Sequence, residues 1–477
     1  MGEGVSVGGE GSVFGEDEGT GHGVVRIASV AALGGLLFGY DSAVINGATK
    51  AIEGEFGVAG YGLGLAVASA LLGAAVGALN AGRVADRIGR LRVMQIAAVL
   101  FLISAIGAAS AWDIWSLVVF RVIGGLGVGV ASVIAPAYIA ETSPARIRGR
   151  LGSLQQLAIV LGIFASLLVD WLLASLAGGA AEELWLGWPA WRWMFLMMAI
   201  PAVVYGVLST TIPESPRFLV ARHRIPEARK VLSLLLGEKN LEVTITRIEQ
   251  TLAGETKPSW KDLKRPNGGI YPIVWVGLIL SVLQQAVGIN VIFYYSNVLW
   301  QAVGFKESQS NQISVFTSVV NVVVTVVAIM LVDKVGRKPL LLVGSAGMAV
   351  TLATMAICFG TADVGADGNP TLHGASGPIA LVAANLYVVF FGVSWGPVVW
   401  VLLGEMFPNR IRGAALSLAA AGQWAANWVV TVTFPKLSST LGLAYGLYTA
   451  FAVISLFFVF RFVHETKGRT LESMGTD

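Results

Sequence analysis

Apolar runs of about 20 residues recur along the whole chain, separated at short intervals by clusters of charge, glycine and proline. A run of that length crosses a hydrocarbon core of roughly 30 Å as a helix. The runs are continuous rather than alternating, which predicts helices and not the strands of a membrane barrel. Twelve such helices are expected, at about 25–46, 60–82, 93–111, 114–137, 151–174 and 191–212, then 270–299, 311–332, 339–360, 378–404, 413–435 and 442–463. One long polar segment, about 213–268, lies between the sixth and seventh. Within it Ile225–Gly237 and Leu241–Leu252 alternate apolar and charged positions as short amphipathic helices do.

The punctuation between the runs is written twice. Gly82-Arg83-Val84-Ala85-Asp86-Arg87-Ile88-Gly89-Arg90 returns as Asp333-Lys334-Val335-Gly336-Arg337-Lys338. Glu141-Thr142-Ser143-Pro144 with Arg148-Gly149 returns as Glu405-Met406-Phe407-Pro408 with Arg412-Gly413. The same cassettes in the same order imply a duplicated membrane unit with its site between the copies. The expectation is an all-α membrane protein of twelve transmembrane helices in two pseudo-symmetric six-helix bundles, 25–212 and 269–463. A helical linker, 213–268, joins them, with tails at 1–24 and 464–477.

Composition agrees: 13% of the 477 residues are charged and 55% hydrophobic, whereas soluble domains carry about a quarter charged residues. Residues 1–24 are rich in Gly and Glu and lack a basic region followed by an apolar core, so a disordered tail is expected rather than a signal peptide. The single cysteine, Cys358, excludes an intrachain disulfide and a cysteine-based metal cluster. Basic residues gather on one side. Arg83, Arg87, Arg90, Arg92, Arg146, Arg148, Arg150, Lys334, Arg337, Lys338, Arg410 and Arg412 follow the second, fourth, eighth and tenth helices, against Lys50, Arg192, Lys306 and Lys436 opposite. The positive-inside rule then makes the first set, the linker and both termini cytoplasmic, in the cell membrane. The net charge of +3 follows topology and points to no nucleic acid.

Several longer motifs carry a resemblance. They are Arg121 with Gly125 and Gly129, Pro136-Ala137-Tyr138-Ile139-Ala140-Glu141, Pro213-Glu214-Ser215-Pro216-Arg217-Phe218, Gln284-Gln285 with Gly288-Ile289-Asn290 and Tyr294-Tyr295, and Glu465-Thr466-Lys467-Gly468-Arg469. Together, from about Gly34 to Glu472, the chain resembles a sugar porter of the major facilitator superfamily. It departs at His464, where the family's last motif usually has proline. The resemblance implies the major facilitator fold, alternating access and a monosaccharide as cargo.

Asp41 and Arg121 are the ionisable residues expected at membrane depth, in the first and fourth helices. A charge there costs about 2.5–3.5 kcal/mol on insertion scales, so such residues are mostly functional. A carboxyl's proton affinity depends on burial and on the distance of a cation. A separation that changes between conformations would link proton flow to the cycle, and Arg121 is the natural partner. A static ion pair is the plainer alternative. The resemblance favours coupling, because bacterial sugar–proton symporters carry an aspartate at this position and glucose facilitators usually do not.

Gln156, Gln284, Gln285, Asn290, Asn321 and Gln423 are neutral amides inside apolar helices. An amide both donates and accepts, as a sugar hydroxyl does, and avoids the desolvation cost of a charge. On sequence alone each could equally tie helices together; the resemblance places them among the sugar contacts. Trp395 and Trp424 offer flat faces to the C–H side of a pyranose. Phe38 shares a helix face with Asp41, as Gln156 does with Ile159 and Ile163. Ile163 and Phe293 are apolar where a pentose carrier would tighten the pocket, which leans toward a hexose such as glucose. On an unbroken helix Asn290 points about 140° away from Gln285, so a bend is expected near Gly288. Gly392-Val393-Ser394-Trp395-Gly396-Pro397 is a second expected hinge.

The repeated cassettes suggest a cytoplasmic gate. Asp86, Arg87, Arg90, Glu141, Arg148 and Glu214 in one half, and Asp333, Arg337, Glu405, Arg412 and Glu465 in the other, are expected to form linked ion pairs. Exposed pairs are worth about 0–1 kcal/mol each, so only a network would bias an equilibrium; the alternative is that the arginines only fix topology. No phosphate loop, metal-ligand cluster or Ser/Cys–His arrangement is present, so neither an enzyme nor a cofactor is expected. The expected partners are a monosaccharide, a proton and the bilayer, with a monomer sufficient. A proton-independent facilitator, a pentose or myo-inositol carrier and a non-transporting sensor are the competing readings.

Overall fold

The structure is a computed structural model, and it describes residues 23–143, 148–236, 241–254, 260–366, 370–408 and 411–466. Helices dominate. Helix 1 runs Val24–Phe56, helix 2 Tyr61–Ile88, helix 3 Arg90–Ala109, helix 4 Ile114–Thr142, helix 5 Arg148–Ala177 and helix 6 Ala190–Ser209. Helix 7 spans Pro272–Ala302, helix 8 Glu307–Val335 and helix 9 Arg337–Gly360. Helix 10 comes in two pieces, Ser376–Val393 and Pro397–Met406. The last apolar stretch, Ala414–Phe462, is 49 residues long, enough for two crossings. A 3-10 turn at Ser438–Thr440 divides it into helix 11, Arg412–Leu437, and helix 12, Leu441–Phe462. The linker holds Pro216–Ala221, Ile225–Leu236, Leu241–Gly254 and a 3-10 turn at Trp260–Leu263.

Small residues let these helices approach closely, the usual device where lipid removes the hydrophobic drive for association. Helices 1 and 5 cross where Gly39 and Gly162 face each other's backbones: a side chain at Gly39 would lie 2.0 Å from the Ile159 carbonyl, and one at Gly162 2.0 Å from that of Leu36. The halves touch through helix 1 on helix 7, helix 2 on helix 11, and helix 5 on helix 8. The second and third contacts are the same pairing seen from each repeat, helix 2 matching 8 and helix 5 matching 11.

Helix 1 runs ten residues beyond its expected end at 46. Hydropathy fades there at Thr49, Lys50, Glu53 and Glu55, but tertiary contacts hold the extra turns. Glu55 accepts from Arg192 Nη2 at 2.7 Å and from the Trp191 indole at 2.9 Å. Two small antiparallel hairpins, Glu183–Trp185 with Trp188–Pro189 and Asp363–Val364 with Pro370–Thr371, were not expected. Strands this short carry no readable alternation.

Candidate functional site

The duplicated cassettes fold into duplicated networks. Gly89 and Gly336, at φ +98° and +96°, turn the chain into helices 3 and 9, a conformation that favours glycine. The next residue is the anchor in each case. Arg90 donates from Nε and Nη2 to the Glu141 carboxylate at 3.0 and 2.9 Å, and Arg337 does the same to Glu405 at 3.0 and 2.6 Å. Glu214 accepts the backbone N–H of Arg90 at 3.1 Å, and Glu465 that of Arg337 at 3.1 Å. Ser215 and Thr466 complete the pattern by donating to Glu141 and Glu405. Asp86 adds an ion pair to Arg90 at 3.3 Å, and the main-chain carbonyl of Arg87 accepts from Arg222. Among the described residues, the first network ties the first half to the start of the linker, and the second ties the second half to the segment just after helix 12. The side chains of Arg148, Asp333 and Arg412 lie outside the described residues.

The opposite end joins the halves. Asn46 of helix 1 donates to the Phe293 carbonyl at 3.1 Å and to Ser296 Oγ at 2.8 Å, while its own carbonyl accepts Asn297 N–H at 3.0 Å. Asn297 donates to Asn311 of helix 8 at 2.6 Å and accepts from Ser314 at 2.8 Å. Glu307 accepts Ala180 N–H at 2.7 Å, and the place of a Gly64 side chain is 2.1 Å from the Val432 carbonyl. Among the described residues, the hydrogen bonds between the halves all lie at this end. The molecule is therefore shut opposite the basic cassettes.

Between these ends lies the polar midsection. Asp41 is buried, and its Oδ2 has no hydrogen-bond partner among the described residues. Arg121, also buried, does not pair with that carboxyl. Its Nη1 donates to the main-chain carbonyl of Asp41 at 2.8 Å and its Nη2 to that of Val67 at 3.3 Å, with Nε unpartnered. The expected neighbours are thus adjacent without forming a direct ion pair. Tyr294 and Tyr295 of helix 7 lie near the guanidinium, so the charged site borders the other half.

Helix 7 breaks at Gly288, φ +83°, with the Tyr448 ring 2.8 Å from where a side chain would begin. Because of the break, Asn290 Nδ2 reaches Gln285 Oε1 at 2.5 Å, which a continuous helix forbids. Helix 10 breaks at Ser394, before Pro397, and frees carbonyls that Gln284 satisfies: its Nε2 donates to Trp395 at 2.7 Å and Gly396 at 3.1 Å. Gln423 donates in turn to Gln284 Oε1 at 2.5 Å. Gln284 is therefore committed to holding the broken helix. Trp395 is fully buried, with its indole N–H on Ser345 Oγ at 2.8 Å, so it packs on helix 9 in this state.

Gln156 is exposed, yet it lies about 140–160° around helix 5 from the exposed Leu161, Leu172 and Leu176. Its amide therefore turns from the lipid side toward the crevice between the halves. Asn321 of helix 8 is buried, and its side chain makes no hydrogen bond among the described residues. Phe38, Ile159 and Trp424 are half-buried. A cavity of about 640 Å³ opens elsewhere, between helices 8 and 10 beside Phe305, Phe316 and Leu381, and shares no residue with this set.

Sequence reasoning missed two features. One is the Asn46–Asn297–Asn311 junction, signalled only by asparagines inside apolar helices. The other is Asp170 of helix 5, a lone acid within Leu167-Leu168-Val169-Asp170-Trp171, buried beside Gly47.

A family model described as sugar (and other) transporter matches residues 27–477. The chain belongs to that family. It is 56% identical over 454 residues to the glucose transport protein of Synechocystis sp., covering 94% of this chain and 97% of that one. The inward-open structure of the xylose transporter XylE from E. coli superposes with a TM-score of 0.80 at 37% identity, covering 94% of this chain and 98% of the other. The proton:xylose symporter XylE bound to 6-bromo-6-deoxy-D-glucose gives a TM-score of 0.74 at 38% identity, with the same coverage. The family places the chain among membrane transport proteins of the twelve-helix, two-bundle architecture. The higher score for the inward-open form fits a molecule shut at one end.

Proposed function

We propose that this protein is a proton-coupled monosaccharide symporter that imports a hexose, with glucose foremost, by alternating access. The observation that carries the reading is Asp41: a buried carboxyl with an oxygen unpartnered, beside an arginine that holds its backbone rather than its charge. Such a group can gain and lose a proton as the halves rock, with Arg121 near enough to stabilise the anion when the geometry tightens. Its place beside helix 7 ties that event to the helix whose break presents Gln285 and Asn290. The high identity to a glucose transport protein and the likeness to a proton:xylose symporter support sugar and proton as the two cargoes.

In this reading Gln156, Gln285, Asn290 and Asn321 offer amides to sugar hydroxyls, while Phe38, Ile159 and Trp424 wall the crevice. Gln284 and Gln423 act chiefly through the helix 10 break, and Trp395 joins the sugar only when that break moves it off Ser345. The basic end is cytoplasmic, with both termini on that side. The Arg90–Glu141 and Arg337–Glu405 networks keep each half rigid as it moves. Meeting across the halves, they close the cytoplasmic side in the outward-facing state.

Tracer uptake in proteoliposomes, with and without a protonophore, tests the whole. Glucose accumulation that collapses on adding the protonophore is expected; equilibration without accumulation would make the protein a facilitator. Gln156→Ala is expected to raise the KM for glucose roughly tenfold, the loss of about 1–1.5 kcal/mol from a hydrogen bond, with little change in unfolding temperature. Gly288→Val is expected to abolish uptake with the protein still in the membrane. The new side chain meets the Tyr448 ring in a left-handed conformation that costs roughly 1–2 kcal/mol by itself. Uptake normalised to membrane-inserted protein is the measurement.

A further inference from the structure

Asp170 has no part in the proposed symport step, yet among the described residues it is the other buried carboxyl of the first half. It reaches from helix 5 to the outer part of helix 1, where Gly47 N–H donates to its Oδ2 at 3.1 Å. Its Oδ1 is buried with no hydrogen-bond partner among the described residues. Gly47 lies six residues beyond Asp41, about 9 Å closer to the end where the halves are joined. Its neighbour in sequence is Asn46, which makes that junction.

Among the described residues, the elements packed on helix 5 bring no unpaired cation to Asp170; Lys50, one turn beyond Gly47 on helix 1, pairs with Glu53 at 3.8 Å. Tyr40 of helix 1 is the titratable group beside it, and its hydroxyl donates to the Met194 carbonyl at 2.9 Å. Glu55 at the end of helix 1 and Arg192 of helix 6 pair with each other at 2.7 Å. Arg121 of helix 4 is held by the Asp41 and Val67 carbonyls, and Glu307 of helix 8 by Ala180 N–H. Accepting one backbone N–H asks only for an amide oxygen, which asparagine supplies without charge. A carboxylate here, with one oxygen unpartnered and no counter-charge, is expensive. The shut arrangement accommodates the acid.

We propose that Asp170 is a second proton-binding site, one that makes the closing of the outer end sensitive to extracellular pH. A proton from the outer water binds Oδ1 as the halves close there and returns to the same side when they part. None crosses the membrane at this site, so the coupling ratio stays with Asp41. The inference rests on the alternating-access reading. The sign follows from linkage: the shut form holds the proton and the open form does not, so raising the pH opens the outer end. The population ratio changes by up to tenfold per pH unit.

The test uses full-length protein in nanodiscs, with Cys358→Ser removing the native thiol. Val432→Cys reports opening, because Val432 is buried against Ala68 and Leu71 where helices 2 and 11 meet. Leu186→Cys, at a hairpin position 90% exposed, is the reference that cancels the thiol's own pH dependence. The ratio of maleimide labelling rates is expected to rise by up to tenfold per pH unit. Because Asp41 also binds its proton differently in the two states, Asp41→Asn is the background: a rise should remain there, and adding Asp170→Asn should flatten it. Persistence of the rise in the double variant, or its loss in Asp41→Asn alone, overturns the proposal. Glucose binding followed by tryptophan fluorescence checks folding, and Asp170→Ser, a second neutral variant, decides the matter if Asp170→Asn fails that check. Failure of the wild type to accumulate sugar sinks the symport reading and leaves this labelling outcome to stand or fall separately.

Discussion

Asp41→Asn is expected to abolish glucose accumulation and to leave glucose exchange across the membrane largely intact. One charge moving through about 100 mV releases roughly 2.3 kcal/mol. At 1.36 kcal/mol per decade that sustains a gradient of about fiftyfold. The asparagine keeps the shape and burial of the carboxyl but cannot exchange a proton, so the gradient should fall to about one while the crevice amides still bind sugar. Arg121 should hold its place, because its bonds go to the main-chain carbonyls of Asp41 and Val67. Counterflow at a sizeable fraction of the wild-type rate, together with the loss of protonophore-sensitive accumulation, is the expected pair of results. Full accumulation by Asp41→Asn would remove this residue from the coupling step. Collapse of both activities would make it a structural group.

The helices and their two-fold repeat were legible because lipid imposes long apolar runs, and because the cassette residues recur in order. The partners of the cassettes were only partly so. Arg90 and Glu141 stand in separate motifs, and nothing in their spacing says that Glu214 would cap the backbone of helix 3. That requires the fold. The bend of helix 7 could be anticipated, since Gln285 and Asn290 cannot share a face on a straight helix. The commitment of Gln284 to the carbonyls of helix 10 could not, because a sequence does not reveal which amide meets a broken backbone. Arg121 was expected at the carboxyl of Asp41 and sits on its carbonyl; side-chain depth is readable from sequence, but rotamer is not. Asp170 and Asn46 escaped notice for a further reason. Each is a single polar residue in an apolar run, and its meaning depends on a partner more than 100 positions away.

Asn46→Ala carries the largest conformational effect expected of a neutral substitution. One side chain makes three bonds across the halves, to Phe293, Ser296 and Asn297, all buried. Only the shut form makes them; when the outer end opens, water satisfies the same groups. Removing the amide therefore deletes three buried hydrogen bonds in one state alone, each worth about 0.5–1.5 kcal/mol net. A net loss of about 2–4 kcal/mol moves the equilibrium toward the outward-open form by roughly thirtyfold to several hundredfold. Labelling of Val432→Cys should rise accordingly. Apparent affinity for external sugar should rise with it, as more of the protein waits in the outward-facing form, while net uptake slows because closing has become the difficult step. Thr49→Ala is the control: its hydroxyl bonds only the Ile45 and Asn46 carbonyls of its own helix, so labelling and uptake should stay near wild type. Slow uptake without increased labelling in Asn46→Ala would mean that the asparagine serves the stability of helix 1 rather than the joint between the halves.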